Sequence, residues 1–368
     1  MVLTQKTYQI VEGIDIFFTD TGAPPSSTEY TTMVIVHGLG FPGAGFEPLQ
    51  TQALSSNLRV IALNRRDYPG STPFSDVELE ALHSGNGSRA QEFHANLGLH
   101  LWLFLKKLIE EEDVPPISTK VPAGAQRSGG IVLMGWSLGV AFTLPAFANP
   151  KVVGDNYKLL ERYIKALIIY DPSCGILGYS IPSNIDADKL YVPWTDSSAK
   201  NPQERFDKFV SWVCSRYRYE YADGNDAPTI DSLERTGVLE RTEDCFAKSL
   251  PKDELEKLTY PPMFLPTRGD MTLLAKHQSV LENATRKVLF DEDIAKTFFP
   301  NLSITYLYPP HTVWMCVLAY METKRIYEEL SAVRAIRPVK FVELKGADHF
   351  AHYEDPQGFL QAIEEVLV

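Results

Sequence analysis

The sequence lacks any run of about 18 apolar residues, the length that a membrane-spanning helix needs. Residues 1–18 lack the basic segment and the apolar stretch that are typical of a secretory signal peptide. Cysteine is scarce, with four residues in 368, and no two of them form a C-x-x-C pair. Disulfide frameworks and thiolate metal sites need more closely spaced cysteines. These absences predict a cytoplasmic protein with free thiols and no membrane insertion.

Positive charge is also in short supply. Lysine and arginine number 35 against 47 aspartate and glutamate residues, which gives a formal net charge of −12. Such a surface repels the phosphate backbone of nucleic acids and anionic membrane surfaces. Glycine-rich phosphate loops, dinucleotide-binding fingerprints and closely spaced histidine ligands are missing as well. The sequence therefore predicts no nucleic-acid partner, no cofactor and no metal site.

Short apolar runs alternate with helical patterns along most of the chain, which is typical of an α/β fold with a mostly parallel sheet. Residues 8–10 and 14–18 flank Glu12 and Gly13 and predict a β-hairpin. A helix that begins near Ser88 carries apolar residues on one face at spacings of three and four. Further strands are predicted at residues 33–36, 59–63, 131–134, 166–170, 303–307 and 340–344.

The alternation of strands and helices stops after Asp171 and returns near residue 300. We therefore predict one core domain of residues 1–172 and 300–368, with a mostly helical insertion at 173–299. The insertion is rich in aromatic side chains, which would line a pocket for an apolar ligand, although some of them must form the insertion's own core. These aromatic residues are Trp194, Phe206, Phe209, Trp212, Tyr217, Tyr219 and Tyr221.

The most informative segment is an apolar strand that ends in G-x-S-x-G and runs into a helical pattern at residues 140–148. Glycines at positions 135 and 139 leave room for close backbone neighbours. Ser137 between them is expected on a strained turn, with its hydroxyl exposed at the start of the helix. A bare G-x-S-x-G also occurs as an incidental turn, but strand before and helix after favour a nucleophile. We interpret Ser137 as that nucleophile.

A second apolar strand ends in His-Gly-Leu-Gly at residues 37–40. Acyl transfer needs two hydrogen-bond donors aimed at the developing oxyanion, one from the residue after the nucleophile and one from a loop of this kind. We predict an oxyanion hole made of the backbone N–H groups of Leu39 and Leu138. His37 is expected to support the loop and not to act as a base.

A glycine-containing loop follows the last predicted strand and carries the next candidate. A serine hydroxyl is a weak nucleophile until a base accepts its proton, and histidine suits this role at neutral pH. We predict that His349 is the base, with His352 as the competing candidate. Asp348 is expected to stabilise the loop, because the side chains of adjacent residues point apart.

Residues 37–40, 135–139 and 346–350, in this order, resemble the motifs of an α/β-hydrolase fold enzyme. The resemblance covers the whole chain except the insertion, which would then be a cap. The layout is similar to that of lidded serine esterases and lactonases. Serine at position 137 differs from the aspartate nucleophile of epoxide hydrolases and haloalkane dehalogenases, so those two activities are set aside.

The resemblance also implies a triad acid, but its commonest position lacks a carboxylate. The seventh strand runs into Pro-Pro-His-Thr at residues 309–312, and the next acidic residue is Glu322. A minority of the family carries the acid after the sixth strand, where this chain has Asp171 followed by Pro172. We predict that Asp171 orients the imidazole of the base. A turn-capping role for Asp171 stays open, with Asp348 and Glu322 as the alternative acids.

The sequence thus predicts a cofactor-independent serine hydrolase that cleaves a carboxylic ester or lactone of a hydrophobic small molecule through an acyl-enzyme on Ser137. Two alternatives remain. The same triad serves acyl transfer, cyclisation or C–C cleavage in some relatives, and a hydrolase scaffold also occurs as a ligand-binding protein. Ligand-binding proteins on this scaffold usually lose a member of the triad, whereas Ser137 and His349 are both present here.

Overall fold

The computed structural model describes residues 2–118, 128–220, 228–229, 232–233 and 245–367, and within them eight strands form one sheet. The strands are β1 (Thr4–Val11), β2 (Ile14–Asp20), β3 (Thr31–Val36), β4 (Leu58–Leu63), β5 (Ile131–Trp136), β6 (Ile164–Tyr170), β7 (Ser303–Tyr308) and β8 (Val339–Glu343). Their spatial order is β1-β2-β4-β3-β5-β6-β7-β8. The β1–β2 and β2–β4 pairs are antiparallel, and all other neighbours are parallel. The predicted α/β fold with a mostly parallel sheet is confirmed.

Helices connect the successive parallel strands, as parallel pairing requires. Within the described ranges they are α1 (Glu47–Ala53), α2 (Asp76–His83), α3 (Gly87–Glu111), α4 (Val140–Ala148), α5 (Pro150–Val153), α6 (Tyr157–Leu160), α7 (Pro202–Val213), α8 (Phe246–Ser249), α9 (Lys252–Leu258), α10 (Gly269–Lys276), α11 (Gln278–Phe290), α12 (Glu292–Thr297), α13 (Trp314–Ser331), α14 (Ala351–Glu354) and α15 (Pro356–Leu367). None of these described helices is long and apolar enough to cross a membrane.

The parallel register brings several strand ends to one edge of the sheet. Val36 at the end of β3 pairs with Gly135 near the end of β5. Trp136 at the end of β5 pairs with Tyr170 at the end of β6, and Tyr170 pairs in turn with Leu307 of β7. The loops that follow these strands therefore start side by side. In open parallel sheets this carboxyl edge is where ligands bind.

The central strands and the longest helix explain the apolar pattern of the sequence. β3, β4 and β5 are buried at every position, which accounts for their continuous apolar runs. α3 packs against α4 so closely that a Cβ at Gly98 would lie 3.0 Å from the backbone nitrogen of Ala146. The apolar face predicted for this helix is buried, and its members are Phe93, Leu97, Leu101, Leu105 and Leu108.

The described residues between β6 and β7 form helices and turns, and an isolated β-bridge joins Ser215 to Cys245. The start of α7 is stabilised in two ways, because the side chain of Asn201 accepts a hydrogen bond from the backbone N–H of Glu204 and Pro202 occupies the first turn. α11, in the same part of the chain, packs against α4. The domain boundaries at 172 and 300 stay a prediction.

A buried histidine pair joins α3 to the junction of α10 and α11. His277 Nε2 lies 2.9 Å from the carbonyl oxygen of Leu82, so this nitrogen carries the proton and donates it. His277 Nδ1 then accepts from His94 Nε2 at 3.0 Å. Burial, followed by the neighbouring His277, lowers the pKa of His94 to about 3, and burial also lowers the pKa of His277. Both rings are therefore neutral in the folded protein.

The neutral pair predicts a loss of stability in acid. The unfolded chain takes up a proton on His94 near its ordinary pKa of 6.5, whereas the folded chain does so only near 3. The free energy of unfolding therefore falls as the pH drops below about 6.5, by up to about 1.4 kcal/mol per pH unit for this residue. His94→Gln, which cannot take up the proton, should decline less steeply in urea unfolding between about pH 7 and about pH 5. A His94→Gln variant that declines as steeply as wild type would contradict the assignment.

Candidate active site

Ser137 lies on a tight turn between β5 and α4. Its backbone φ is +52°, in the left-handed region that residues other than glycine rarely adopt. A Cβ at position 139 would lie 2.0 Å from the carbonyl oxygen of Val36, so only glycine fits there. A Cβ at position 135 would lie 2.9 Å from the backbone nitrogen of Val140. Close packing therefore requires both glycines of the G-x-S-x-G pattern, and the turn expected at Ser137 is strained.

The loop after β3 is held by a buried histidine. His37 Nε2 accepts the backbone N–H of Arg65 at 3.1 Å, so the proton is on Nδ1, which donates to the carbonyl oxygen of Gly38 at 2.8 Å. Burial, followed by the charge of Arg65, lowers the pKa of His37 well below its ordinary range. His37 is thus a neutral support of the loop, in agreement with the role expected for it.

A buried ion pair ties the same loop to the residues between β6 and β7. Asp270 in α10 accepts two hydrogen bonds from Arg65, each of 2.7 Å. The guanidinium of Arg65 also donates to the carbonyl oxygens of His37 and Gly38, each at 3.0 Å. Such a two-pronged pair fixes direction as well as distance. The path of the loop after β3 therefore depends on a residue more than 200 positions away in the sequence.

The two predicted oxyanion donors lie beside Ser137. Tyr68 donates to Asp270 at 2.8 Å and accepts the backbone N–H of Gly40 at 2.9 Å, which fixes the residue after Leu39. Within the described ranges, the backbone N–H groups of Leu39 and Leu138 take no part in the hydrogen bonds of turns and loops. Both residues line the cavity that Ser137 also lines. Their role as an oxyanion hole stays a prediction.

His349 and Asp171 meet at the carboxyl edge of the sheet. His349 Nδ1 lies 2.5 Å from Oδ2 of Asp171, and both side chains are buried. Because a carboxylate only accepts, Nδ1 carries a proton, and Nε2 is the nitrogen of a neutral His349 ring that can accept one. Burial raises the pKa of Asp171, and hydrogen bonds from His349 and Thr312 act against that rise. The arrangement leaves a basic nitrogen on His349.

The alternative acids make other contacts. Asp348 Oδ1 accepts the backbone N–H of Phe350 at 2.9 Å and so stabilises its own loop. Glu322 lies on α13, where both of its carboxylate oxygens accept from the guanidinium of Arg325. Among the carboxylates that the structure describes, Asp171 is the one that hydrogen-bonds to the imidazole of His349.

The competing base His352 is enclosed by side chains of the core. Its ring stacks on that of Phe46 with 4.2 Å between the centroids, and its Nδ1 lies 3.3 Å from the hydroxyl of Tyr170. Burial, followed by the nearby His349, lowers the pKa of His352 well below its ordinary range. His352 does not line the cavity at Ser137, whereas His349 does.

Ser137 and His349 line one cavity of about 40 Å³. No hydrogen bond joins their side chains in the described structure, as is common in sites without substrate. The cavity has room for about three water molecules. A bulky acyl chain therefore enters only if wall side chains move. The apolar part of the wall includes Phe41, Trp136, Ile176, Leu274, Val313 and Phe350.

The aromatic residues predicted for a pocket divide into two groups. Phe206 packs against Phe264, with ring centroids 5.9 Å apart, and does not reach the cavity. Tyr217 and Tyr219 are buried and donate to backbone carbonyl oxygens. Tyr221 lies outside the described residues. The members that line the cavity are Trp194, Phe209 and Trp212.

Several residues that hold the site together were missed by the sequence analysis. Thr312 Oγ1 donates to Oδ2 of Asp171 at 2.6 Å and lies 3.4 Å from Nδ1 of His349. Trp136 Nε1 and the hydroxyl of Tyr170 donate to the backbone carbonyl oxygen of His349 at 3.0 and 3.2 Å. Thr312 could have been identified from its position after β7, because the triad acid is commonest there in the family that the chain resembles.

One group of potential metal ligands occurs in the part of the chain that the structure describes. Ligand atoms of Asp171, Cys316 and His349 lie within 4.8 Å of one another. Two of these atoms already share the hydrogen bond between Asp171 and His349, and Cys316 donates to the backbone carbonyl of Asp171 at 3.4 Å. Burial raises the pKa of the Cys316 thiol, which disfavours the thiolate that binds metals. The donor set fits a hydrogen-bonded pair better than a metal centre.

Comparisons with known proteins agree with the fold. A family model described as "Alpha/beta hydrolase family" matches residues 33–362. Cfl2 from Burkholderia cenocepacia superposes with a TM-score of 0.52 at 11% identity, covering 100% of this chain and 96% of its own. The esterase EaEST from Exiguobacterium antarcticum and a bromoperoxidase from Bacillus anthracis each superpose with a TM-score of 0.50 at 13% identity, covering 99% of both chains. Comparison with curated protein sequences gives no match.

Removal of the carboxylate that faces Arg65 should destabilise the protein strongly. Asp270→Asn leaves the guanidinium buried without its counter-charge, which is expected to lower the free energy of unfolding by about 3–5 kcal/mol. Urea unfolding at neutral pH measures this change. Glu329→Gln, which removes an exposed carboxylate paired with Arg325, is the control and should change the value by less than about 1 kcal/mol. Similar small losses in both variants would contradict a structural role for the buried pair.

Proposed function

The chain belongs to the alpha/beta hydrolase family, and on that basis we propose that it is a serine hydrolase. Its proposed substrate is a carboxylic ester or lactone of a hydrophobic small molecule, and the acyl-enzyme forms on Ser137. The observation that carries the proposal is the 2.5 Å hydrogen bond between His349 and Asp171, beside a cavity that Ser137 lines.

In the proposed acylation step, the hydroxyl oxygen of Ser137 attacks the carbonyl carbon of the ester while Nε2 of His349 takes its proton. Asp171 keeps Nδ1–H of the imidazole in place and stabilises the positive charge of the ring. The carbonyl oxygen becomes an oxyanion, for which Leu39 and Leu138 supply backbone donors. The tetrahedral intermediate then expels the alcohol, which leaves with the proton from His349.

Deacylation follows the same course with water as the nucleophile. His349 takes a proton from the water molecule as its oxygen attacks the acyl carbon, and the second tetrahedral intermediate expels the oxygen of Ser137. His349 returns the proton to that oxygen, which restores the free serine. An ester yields an acid and an alcohol, whereas a lactone yields a single hydroxy acid.

Residues 173–299 are proposed as a cap over Ser137. Trp194, Phe209 and Leu274 come from this segment and line the cavity. The buried pair of Arg65 and Asp270 ties the segment to the loop that carries Leu39. Among the described residues of the cavity wall, none is a lysine, arginine, aspartate or glutamate. An apolar wall of this kind favours an apolar acyl group.

The nucleophile is tested with a fluorophosphonate probe, which reacts with activated serines. Wild-type protein should be labelled at Ser137, because His349 makes this hydroxyl nucleophilic. Ser137→Ala should lose the label and all ester hydrolysis while keeping its unfolding midpoint. Peptide mapping by mass spectrometry locates the label.

Ser173 provides the matched control, because it is another serine that lines the same cavity. Ser173→Ala should be labelled at the wild-type position. Labelling of Ser137→Ala at the wild-type rate would show that the reactive serine lies elsewhere.

The substrate class is tested with p-nitrophenyl esters from acetate to dodecanoate and with a macrocyclic lactone, using release of free acid as the common assay. We expect kcat/KM to rise beyond acetate, since each further buried methylene contributes up to about 0.8 kcal/mol until the pocket is full. The reason is the apolar wall around Ser137. A profile that is highest at acetate and falls steadily would contradict a pocket for large apolar groups.

Because the cavity is small, enlarging it provides a second test of the substrate class. Leu274→Ala removes part of the cavity wall and should move the preferred chain length upward. Leu330→Ala shortens a half-buried leucine on α13 that does not line the cavity, and it should leave the profile unchanged.

A further inference from the structure

Two donors meet on one oxygen of Asp171. Oδ2 accepts Nδ1–H of His349 at 2.5 Å and the hydroxyl of Thr312 at 2.6 Å. Oδ1 is buried and has no hydrogen-bond partner among the described residues. The carboxylate thus has one donor from the base and one from a residue outside the proposed triad.

We propose that Thr312 is a positioning residue of the site, whose hydroxyl keeps Asp171 ionised and turned toward Nδ1 of His349. The inference rests on the proposed function, since it assigns a role to Thr312 only if Asp171 and His349 activate Ser137. Thr312 follows β7, where the sequence offers no carboxylate. A hydroxyl at this place donates to the acid that follows β6.

The need for such a donor comes from burial. Asp171 is 1% exposed, and an ionised carboxylate without compensating hydrogen bonds is costly in such a place. Carboxylates are commonly stabilised by several donors, whereas this one has two on a single oxygen. The hydrogen bond from His349 to Asp171 is weaker while the imidazole is neutral, before it takes the proton of Ser137. The hydrogen bond from the Thr312 hydroxyl has the same strength whether the imidazole is neutral or protonated.

The backbone around Thr312 is itself held on two sides. Its carbonyl oxygen accepts the hydroxyl of Tyr219 at 2.8 Å, which ties it to the segment between β6 and β7. The backbone N–H of His311 donates to the carbonyl oxygen of Ala347 at 3.0 Å, two residues before His349. The backbone that carries the Thr312 side chain is thus fixed both to the proposed cap and to the loop of His349.

Other titratable groups surround the Asp171–His349 pair but do not replace this donor. The hydroxyl of Tyr170 donates to the backbone carbonyl of His349, and the thiol of Cys316 donates to the backbone carbonyl of Asp171. The Cys316 thiol also lies within 4.8 Å of a carboxylate oxygen of Asp171, but a thiol is a weaker hydrogen-bond donor than a hydroxyl. Among the described residues, the other titratable groups that interact with Asp171 or His349 are Tyr306, Asp348 and His352. Behind them, Cys174 interacts with Cys316 and Tyr306, and Arg216 pairs with Asp348.

Removal of the hydroxyl should change both rate and pH dependence. Without the hydroxyl, the carboxylate of Asp171 has only the imidazole as a hydrogen-bond donor. A protonated imidazole stabilises this negative charge more than a neutral one does. The protonated pair is therefore favoured, and the acidic midpoint of the kcat/KM profile moves to higher pH. If Thr312 only filled space in the core, its substitution would lower the amount of folded protein but would leave the acidic midpoint of kcat/KM unchanged.

The test compares Thr312→Val, Thr312→Ala and Thr312→Ser in the full chain, using the best ester of the panel and the rate of fluorophosphonate labelling. We expect Val and Ala to lower kcat by about tenfold or more, the effect of losing one hydrogen bond to a charged group. Their acidic midpoint should rise by about one pH unit. Thr312→Ser, which keeps the hydroxyl, should restore both values to near wild type.

Thr323→Val is the matched control, because its buried hydroxyl donates to the backbone carbonyl of Ala319 away from the site. It should leave kcat and the pH midpoint unchanged. If Thr312→Val does not fold, the comparison of Thr312→Ala with Thr312→Ser carries the test. Wild-type rate and midpoint in a folded Thr312→Ala variant would overturn the inference.

The design separates this inference from the proposed function. Loss of labelling in Ser137→Ala with no effect of Thr312→Ala would leave the serine hydrolase intact and remove the role of Thr312. Labelling that does not depend on Ser137 would overturn the proposed function, and the role of Thr312 would fall with it.

Discussion

The hydrogen bond between Nδ1 of His349 and Oδ2 of Asp171 is the contact on which the rest of the site depends. It joins a residue directly after β6 to one on the loop after β8, across 178 positions of the sequence. The contact exists because the parallel register of β6, β7 and β8 brings their carboxyl ends to one edge of the sheet. Ser137 reaches the same edge at the end of β5. Local chain geometry then decides which side chains face each other there.

That local geometry is strained at two residues. Ser137 and Asp171 have φ values of +52° and +47°, and each such residue costs about 1–3 kcal/mol outside glycine. Packing around them holds the strain, since Gly139 leaves no space for a side chain against Val36. The loop after β3 is held in a comparable way by the buried pair of Arg65 and Asp270. The site is therefore positioned by contacts that lie outside the reacting groups.

The parts of this structure that were predictable depend on neighbours in sequence. The strand, turn and helix around Ser137 were predictable because their apolar runs and glycines adjoin. An early end of α4 at Pro145, which the sequence also suggested, does not occur, and the helix continues to residue 148. The hydrogen bond of Thr312 to Asp171 and the pair of Arg65 and Asp270 were not predicted. These partners are 141 and 205 positions apart, and no local pattern connects them. Asp171 itself was predicted from the resemblance to α/β-hydrolase fold enzymes, and its contact with His349 required the tertiary structure.

The most direct test of the proposed chemistry is the second-order rate constant for fluorophosphonate labelling of Ser137 in three acid variants. Asp171→Asn should lower it by orders of magnitude, on the scale of about 10⁴, because the imidazole loses the partner that fixes its tautomer. Asp348→Asn and Glu322→Gln should change it far less, since their carboxylates bond to Phe350 and Arg325. A severe loss in Asp348→Asn with a mild one in Asp171→Asn would contradict the account.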